Sequence, residues 1–374
     1  MAFNESQDNF KLCFIAFNLS GLGPSSKPFL KILSYVLYPW LCLLFVLVCV
    51  NIVFKHSNIW DIGEVTSSIS IAVMMVVRKT ILIKYSSVFA EIIELHSRFW
   101  DYGLFGKATE TKIRKKVDFF KFILKCYIVS GITATSTRSI VPIFDKNLTM
   151  PQDCWIPGNN SIVKHIIYAF QVIFYAESIS YFTFFDGFLL IVTANLQAQF
   201  ILLQKATGSI NFETDSEETA WKKLVKCCEH HKFLISVHKK LNTLYSYFYL
   251  VTYFLVITMG CVSLFVIFDK SSTFAQLLES AITMVVLNVM IAMICICSSE
   301  IEIEAEKLLT QIYEVNWYET PNLKIRKFIL FWLMQAQVSV ETKGAGLLVV
   351  NRSLMLQVQR FSYSVSTLLK GMNE

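Results

Sequence analysis

The sequence predicts an all-helical membrane protein with seven transmembrane helices. Of its 374 residues, 54% are hydrophobic and 17% are charged, and the mean hydropathy is +0.51. Soluble domains carry about a quarter charged residues, so a soluble core of this composition is implausible. Apolar segments of about 20 residues, the length that crosses the hydrocarbon layer, begin near Phe29, Ile62, Lys121, Ile166, Leu241, Gln276 and Leu347. We therefore expect one membrane domain over residues 1–374.

The seven segments differ in how clearly they predict a membrane span. A turn sequence, GLGPSSKP, separates the first from an amino-terminal segment, residues 1–28, that we expect in the cytoplasm. That segment has none of the features of a removable signal peptide, so the first span is expected to direct insertion. The second and third spans are less apolar, since they contain Arg78, Lys79 and Arg138. The fourth continues in the pattern QFILLQ, which predicts a helix that extends into the cytoplasm.

Lysine and arginine predict the orientation of these spans. The connections after the second, fourth and sixth spans hold eight, seven and four such residues, whereas the intervening loops together hold four. Positive residues in short loops stay in the cytoplasm, so we expect the amino terminus inside and the carboxy terminus outside. This is opposite to a G-protein-coupled receptor. Two predicted glycosylation sites, Asn147 and Asn159, fall in a loop assigned to the outside and support the same orientation.

Residues 299–337 are predicted to form a cytoplasmic helical hinge and anchor. Charged and apolar positions there fall on separate faces of a helix, which Pro321 ends and a short amphipathic helix then follows. We interpret this region as a subunit interface, because the membrane interior supplies little hydrophobic drive for assembly. A monomer that packs its own juxtamembrane helices is the alternative.

The last span, residues 347–370, carries polar residues at helical spacing, which lipid would penalise. Ser362, Ser366 and Lys370 recur every four residues, and Leu369 lies beside them. We interpret these four residues as the wall of a pore, with Leu369 as a candidate dewetting constriction. The alternative is that the hydroxyls bond to backbone carbonyls inside a packed helix bundle.

A pocket for a small ligand would need apolar walls, rigid aromatic side chains and a few polar groups. Candidates of this kind fall at helical spacing on the second, third and fourth spans. They are Met74, Met75, Thr133, Ser136, Thr137, Phe170, Phe174, Ser178 and Tyr181. A stripe of Phe and Tyr is equally typical of plain core or of contact with lipid. The aromatic content favours a small, mostly apolar ligand held by shape and stacking.

The sequence does not predict an enzyme, a metal site or a cofactor. The best metal candidates lie close together in a basic cytoplasmic segment but lack a regular ligand spacing. They are Cys227, Cys228, His230, His231 and His238. Glu177 and Asp186 lie within the fourth span, and we interpret Asp186 as structural. The formal net charge of +6 follows from the cytoplasmic loops and implies no nucleic acid.

Two segments resemble the insect odorant receptors. IYEVNWYETPNLKIRKFI, followed by QAQ, GAG and the terminal FSYSVSTLLK, is similar to the carboxy-terminal signature of that family. FFDGFLLIVTANLQAQFILL, from Phe184 to Leu203, is similar to its fourth span and cytoplasmic continuation.

The resemblance implies a subunit of an odorant-gated, non-selective cation channel that assembles as a tetramer around the last helix. It implies an odorant chamber in the outer half of the bilayer, and a place in the plasma membrane of the olfactory sensory neuron dendrite. It also implies a shared co-receptor as partner. The chain lacks the long cytoplasmic insertion that marks the co-receptor itself, so we expect a tuning subunit. If four copies of Lys370 faced a common pore, they would repel cations, and conduction would then depend mainly on the partner subunits.

Two alternatives stay open on the sequence. One is a secondary transporter, which would show interrupted helices and an inverted repeat. The other is a gustatory-type ligand-gated channel that works without a co-receptor.

Overall fold

The computed structural model describes residues 8–54, 59–144, 150–152, 154–156, 161–268 and 274–373. Within these ranges the chain forms ten α-helices, two short 3-10 helices at His96–Arg98 and Tyr102–Phe105, and one small β-ribbon. The helices are α1 Lys11–Leu19, α2 Pro28–Phe54, α3 Ile59–Lys84, α4 Ser86–Leu95, α5 Lys107–Phe144, α6 Ser161–Gly208, α7 Glu217–Phe268, α8 Phe274–Glu314, α9 Leu323–Ala336 and α10 Arg352–Asn373. The antiparallel ribbon pairs β1 Lys343–Gly344 with β2 Leu348–Val349. The predicted all-helical fold is confirmed.

Seven helices, α2, α3, α5, α6, α7, α8 and α10, occupy the seven predicted spans. Four of them contain described segments long and apolar enough to cross a membrane: Pro28–Asn51, Ser161–Gly208, Glu217–Phe268 and Met284–Glu314. The remaining three, α3, α5 and α10, also exceed the length of a span but carry more polar or charged residues. The second and third spans, which contain Arg78, Lys79 and Arg138, are thus among the less apolar helices of the structure.

The fourth span, α6, lies at the centre of the bundle. Every residue from 183 to 203 is buried, because α6 packs against α1, α5, α7 and α8. A helix that is apolar on all sides is stable only where neighbours surround it. This packing explains why the segment FFDGFLLIVTANLQAQFILL shows no polar face.

The helices of the fourth and fifth spans, α6 and α7, are much longer than the membrane is thick. At about 1.5 Å per residue, the 48 residues of α6 and the 52 residues of α7 each extend roughly 70–80 Å. The hydrocarbon layer accounts for only about 30 Å of this length. The parts of α6 and α7 that extend beyond the membrane pack with α9 and the ribbon, and these segments share one continuous core with the membrane part. The residues that α9 contributes to this core include Ile325, Ile329 and Trp332.

A compact connection joins the sixth and seventh spans. α8 ends at Glu314, and α9 begins after Asn322, whose side chain accepts a hydrogen bond from the Lys324 amide at 2.9 Å. The ribbon then turns at Ala345 and Gly346, which have φ of 49° and 74°. Because the ribbon occupies residues 343–349, the last helix begins at Arg352, five residues later than the predicted start of the span at 347.

Candidate functional site

A small apolar cluster lies between α2, α3 and α6, separate from the main core. We call it the α2–α3–α6 cluster. Its buried members are Leu37, Leu41, Leu44, Val48, Met75, Met150, Cys154, Phe174 and Tyr175. Phe170 lies at its edge and stacks on Trp40 with ring centroids 5.1 Å apart. Aromatic rings and thioether side chains are the groups that bind small apolar ligands by shape.

The structure brings part of the predicted ligand-binding set to this cluster. Met75, Phe170 and Phe174 belong to it. Ser178 and Tyr181 continue the same side of α6 and are buried. The Ser178 hydroxyl donates to the backbone carbonyl of the cluster residue Tyr175 at 2.7 Å, whereas Tyr181 belongs to the main core. Met74 packs instead against the main core, where its sulfur accepts a hydrogen bond from the Arg78 guanidinium at 3.1 Å.

The structure places the predicted residues of α5 elsewhere. Thr133, Ser136 and Thr137 are exposed on the outside of the bundle. The hydroxyls of Thr133 and Thr137 donate to backbone carbonyls four residues earlier, at 2.9 and 2.8 Å. The physical reason is the helical phase of α5, since Val117 and Leu124 fix its packed face and the three hydroxyl residues lie on the opposite face.

A buried ion pair lies next to the cluster, within one helical turn of Met75 and Phe174. The Lys79 ammonium is fully buried and donates to both carboxylate oxygens of Glu177 at 2.7 and 2.8 Å. The hydroxyl of Tyr181, one turn farther along α6, has no hydrogen-bond partner among the residues that the structure describes. One side of the apolar cluster is thus bordered by polar groups.

A second ion pair joins α3 to α6 deeper in the bundle. The Arg78 guanidinium donates to the two carboxylate oxygens of Asp186 at 3.2 and 3.1 Å, and both side chains are buried. Tyr127 of α5 donates to the same carboxylate. The Arg78 guanidinium also lies 4.3 Å from the ring centroid of Phe182 and 4.8 Å from that of Phe248 on α7. This buried charge pair therefore links four helices, α3, α5, α6 and α7.

The last helix, α10, has a packed face and an exposed face. Ser362 and Ser366 are buried on the packed face. A Cβ at position 260 of α7 would lie 2.9 Å from Ser362 Oγ, so Gly260 is what permits this close approach. The side chains of Leu369 and Lys370 lie outside the described part of the chain. Ser362 thus contacts the subunit's own α7, and both predicted serines of the pore stripe lie on the packed face of α10.

A different polar stripe occupies the exposed face of α10. Its members recur at spacings of three and four residues and are all exposed. They are Ser353, Gln357, Arg360, Ser364 and Thr367. The Gln359 amide beside them donates to Asn288 of α8 at 2.7 Å. At the base of α10, Arg352 pairs with Glu300 of α8, and its backbone amide donates to Ser299 Oγ at 2.9 Å.

Three histidines connect the first half of α7 to neighbouring segments. His230 bonds to Gln199 at 3.1 Å, His231 accepts from the Trp332 indole at 3.1 Å, and His238 bonds to Thr342 at 3.2 Å. Burial lowers the pKa of His230 to about 3 and those of His231 and His238 to about 4. These neutral imidazoles each have a hydrogen-bond partner in the fold, so hydrogen bonding between segments accounts for all three histidines.

A model of the family described as 7tm Odorant receptor matches residues 58–363, which is most of the chain. The chain belongs to the odorant receptor family. Family membership confirms the resemblance seen in the carboxy-terminal residues and in α6, and it places the chain among receptors with seven helical spans rather than among enzymes.

Individual relatives agree with this family. Odorant receptor 42b of Drosophila melanogaster is 24% identical over 196 residues, which is 50% of this chain and 47% of that protein, so the match spans about half the length of the curated relative. The solved structure of the olfactory receptor OR5 from Machilis hrabei superposes with a TM-score of 0.75 at 13% identity and covers 97% of both chains. Its complex with eugenol gives a TM-score of 0.74 at 12% identity and covers 98% of this chain and 97% of that one.

The residues of this odorant receptor that sequence reasoning missed are the ion-pair partners and the exposed stripe of α10. Two cations, Arg78 and Lys79, stand in one span, and two carboxylates, Glu177 and Asp186, stand in another. Charges in hydrocarbon need partners, so the equal numbers of cations and carboxylates in these two spans could have predicted that they pair. The predicted glycosylation sites Asn147 and Asn159 lie outside the described residues.

Proposed function

We propose that this odorant receptor is the tuning subunit of an odorant-gated, non-selective cation channel. One observation carries the proposal. The exposed face of α10 holds five polar side chains in a continuous stripe, while its opposite face packs on α7 and α8. Polar side chains within the membrane face water or protein, because contact with lipid would leave them without partners. An aqueous path at the centre of an assembly satisfies them.

This stripe replaces the set that the sequence suggested for the pore. Ser353, Gln357, Ser364 and Thr367 present neutral hydrogen-bonding groups to the path, and Arg360 adds a positive charge in its middle. Four copies of Arg360 around one pore would oppose cation flow. A heteromer in which co-receptor subunits supply most of the wall avoids this barrier, and this supports a shared co-receptor as the partner. Leu369 and Lys370 stay as candidates for the end of the same path.

The α2–α3–α6 cluster is the proposed odorant site. Phe170 and Phe174 supply stacking surfaces, Met75 supplies a deformable wall, and Lys79, Glu177 and Tyr181 border it with polar groups. A site of this composition suits a small volatile with an aromatic or aliphatic body and one polar group. The relative from Machilis hrabei has been solved with eugenol, a molecule of this class.

The ligand is expected to act by differential affinity. An odorant that binds the cluster more tightly in the open conformation shifts the population toward that conformation. If the amino terminus lies inside, as predicted, the cluster lies in the outer half of the plasma membrane, where a volatile reaching the neuronal dendrite from outside would encounter it. The cytoplasmic ends of α6, α7 and α8, with α9, then form the anchor between subunits.

Recording currents from cells that express this chain tests the proposal. The chain would be expressed alone and with an odorant co-receptor, and a panel of volatiles would be applied. We expect odorant-evoked currents that need both subunits and that reverse near zero when sodium and potassium are exchanged. Currents from this chain alone would remove the co-receptor from the proposal. Stoichiometric solute uptake without current would favour a transporter and contradict the channel.

A further inference from the structure

The cytoplasmic half of α5 carries an unusual number of exposed cations. Between Lys107 and Lys125 the helix has seven basic residues and only two acidic ones, Glu110 and Asp118. The basic residues are Lys107, Lys112, Arg114, Lys115, Lys116, Lys121 and Lys125. We call this part of the chain the α5 basic segment. Such a density of like charge is unfavourable in a helix unless partners compensate it.

Only some of these cations have partners within the protein. Arg114 pairs with Glu110 at 2.8 Å, and Lys121 lies 3.7 Å from Asp118. Lys116 pairs with Glu304 of α8 at 3.1 Å. Across the described ranges, Lys112, Lys115 and Lys125 form no ion pair, and all three are exposed. Uncompensated charge thus accumulates on the outward side of the helix.

The same side of α5 becomes apolar toward the membrane. Phe119 and Phe122, one and two turns beyond Lys115, are 60% and 62% exposed, and Val129 is 63% exposed. The buried residues Val117 and Leu124 lie on the opposite side and pack on α6. One continuous stripe therefore passes from lysine through phenylalanine to aliphatic side chains, the order of headgroup, interface and hydrocarbon in a bilayer.

The position of α5 leaves this stripe open to lipid. α5 packs mainly against α6 and the preceding 3-10 turn, whereas α10 packs against α7 and α8. The stripe is therefore on a different side of the bundle from the proposed pore.

We propose that the outward face of the α5 basic segment binds the anionic phospholipid headgroups of the cytoplasmic leaflet. Lys112 and Lys115 contact the phosphate and carboxylate groups, while Phe119 and Phe122 insert among the first methylenes of the acyl chains. Juxtamembrane clusters of four to eight cations attract anionic lipids in this way. A soluble polyanion has no apolar part that would contact the phenylalanines of the stripe, whereas a lipid has acyl chains. The aromatic part of the stripe therefore favours a lipid. The proposal rests on the orientation given under Proposed function.

Lipid counting on the purified full-length protein tests this site. The protein in detergent is titrated with phosphatidylserine or with phosphatidylcholine, and bound lipid is counted by native mass spectrometry. We expect phosphatidylserine to bind preferentially. The double variant Lys112→Gln/Lys115→Gln should bind phosphatidylserine roughly 10- to 30-fold more weakly, because it lacks two surface cations.

Two matched variants separate a local site from overall charge. Lys112→Arg/Lys115→Arg keeps the charge and should keep the affinity. Lys205→Gln/Lys327→Gln removes two exposed lysines from α6 and α9 and should also keep it. Thermal unfolding of each variant without added lipid checks that the fold is intact, and an equal loss in both glutamine variants would overturn the proposal.

A soluble competitor decides between a lipid and a free anion. Inositol trisphosphate should displace phosphatidylserine only weakly, because it lacks acyl chains for Phe119 and Phe122. Complete displacement would assign the segment to a soluble polyanion and contradict the lipid proposal. The measurement needs no odorant and no current, so its failure and the failure of the channel proposal are distinguishable.

Discussion

The hydroxyl of Tyr127 on α5 donates a hydrogen bond to the carboxylate of Asp186 on α6. Because that carboxylate also accepts from Arg78 on α3, one buried anion connects three helices. Arg78 in turn lies against Phe248 of α7. Water cannot replace these partners in hydrocarbon, so loss of either charge leaves the other without compensation.

Replacement of Asp186 by Asn should destabilise the receptor by about 3–5 kcal/mol, because it leaves the Arg78 charge buried and unpaired. Tyr127→Phe keeps the ion pair and should cost only about 1–3 kcal/mol, the range for one lost hydrogen bond to a buried group. Thermal unfolding of the purified proteins measures both. The double variant Arg78→Met/Asp186→Leu should recover much of the loss, and equal instability of all three would argue against charge as the cause.

Phe174→Ala should alter odorant sensitivity, since it removes a ring from the centre of the α2–α3–α6 cluster. Loss of a buried aromatic side chain costs about 3–5 kcal/mol of packing, and part of that cost is expected to appear as weaker binding. Dose–response curves of odorant-evoked current measure the shift. Thr133→Ala is the matched control, because Thr133 is exposed on α5 and its removal should leave the curve unchanged. A shift in the dose–response curve with Thr133→Ala but not with Phe174→Ala would assign the odorant site to the predicted residues of α5.

Removal of the Tyr181 hydroxyl should discriminate between odorant classes. That hydroxyl is buried without a hydrogen-bond partner among the described residues, so Tyr181→Phe is expected to change stability by less than about 1 kcal/mol. If the hydroxyl bonds to the polar group of the ligand, the variant should lose sensitivity to alcohols and phenols while hydrocarbons of the same shape act as before. Equal responses to both classes would show that Tyr181 does not contact the ligand.

Cysteines on the two faces of α10 should react differently with a charged, membrane-impermeant thiol reagent. Gln357→Cys and Ser364→Cys lie on the exposed stripe and should be modified while the channel is open, with a change in current. Ser362→Cys lies against Gly260 and should not react. Receptor with its native cysteines provides the background rate. Modification of Ser362→Cys but not of Ser364→Cys would restore the stripe predicted from the sequence.

Acidification should weaken the part of the fold that lies outside the predicted membrane spans. Burial holds the pKa of His231 at about 4, below its ordinary value of 6.5, so the folded protein favours the neutral ring. The stabilisation is complete above pH 6.5 and is lost as pH falls toward 4, by up to about 3 kcal/mol for a shift of this size. Unfolding temperatures across this range measure the effect. His231→Asn should reduce the slope, whereas His165→Asn, at an exposed site on α6, should not.

The fold could be predicted from the sequence because hydropathy and charge act locally. Each long apolar segment forms its helix, and α6 could be recognised from a single continuous run. The candidate site was predicted only in part. Helical spacing shows that one face of a helix is polar, but it does not show whether that face contacts a neighbouring helix, water or lipid. Ser362 and Ser364 both lie on polar stripes of α10, and only the packing of Gly260 decides that Ser362 is internal. The pairing of Lys79 with Glu177 joins residues 98 positions apart, which no local pattern contains.

Gly260 also has a mechanical consequence. With only a hydrogen atom at this position, α7 and α10 approach so closely that a displacement of one helix relative to the other would break the contact with Ser362. A movement of α10 that keeps this contact carries the fifth span with it. Because Arg78 of α3 lies 4.8 Å from the ring centroid of Phe248 on α7, a shift of α3 at the proposed odorant site would pass through α7 to the proposed pore helix, α10.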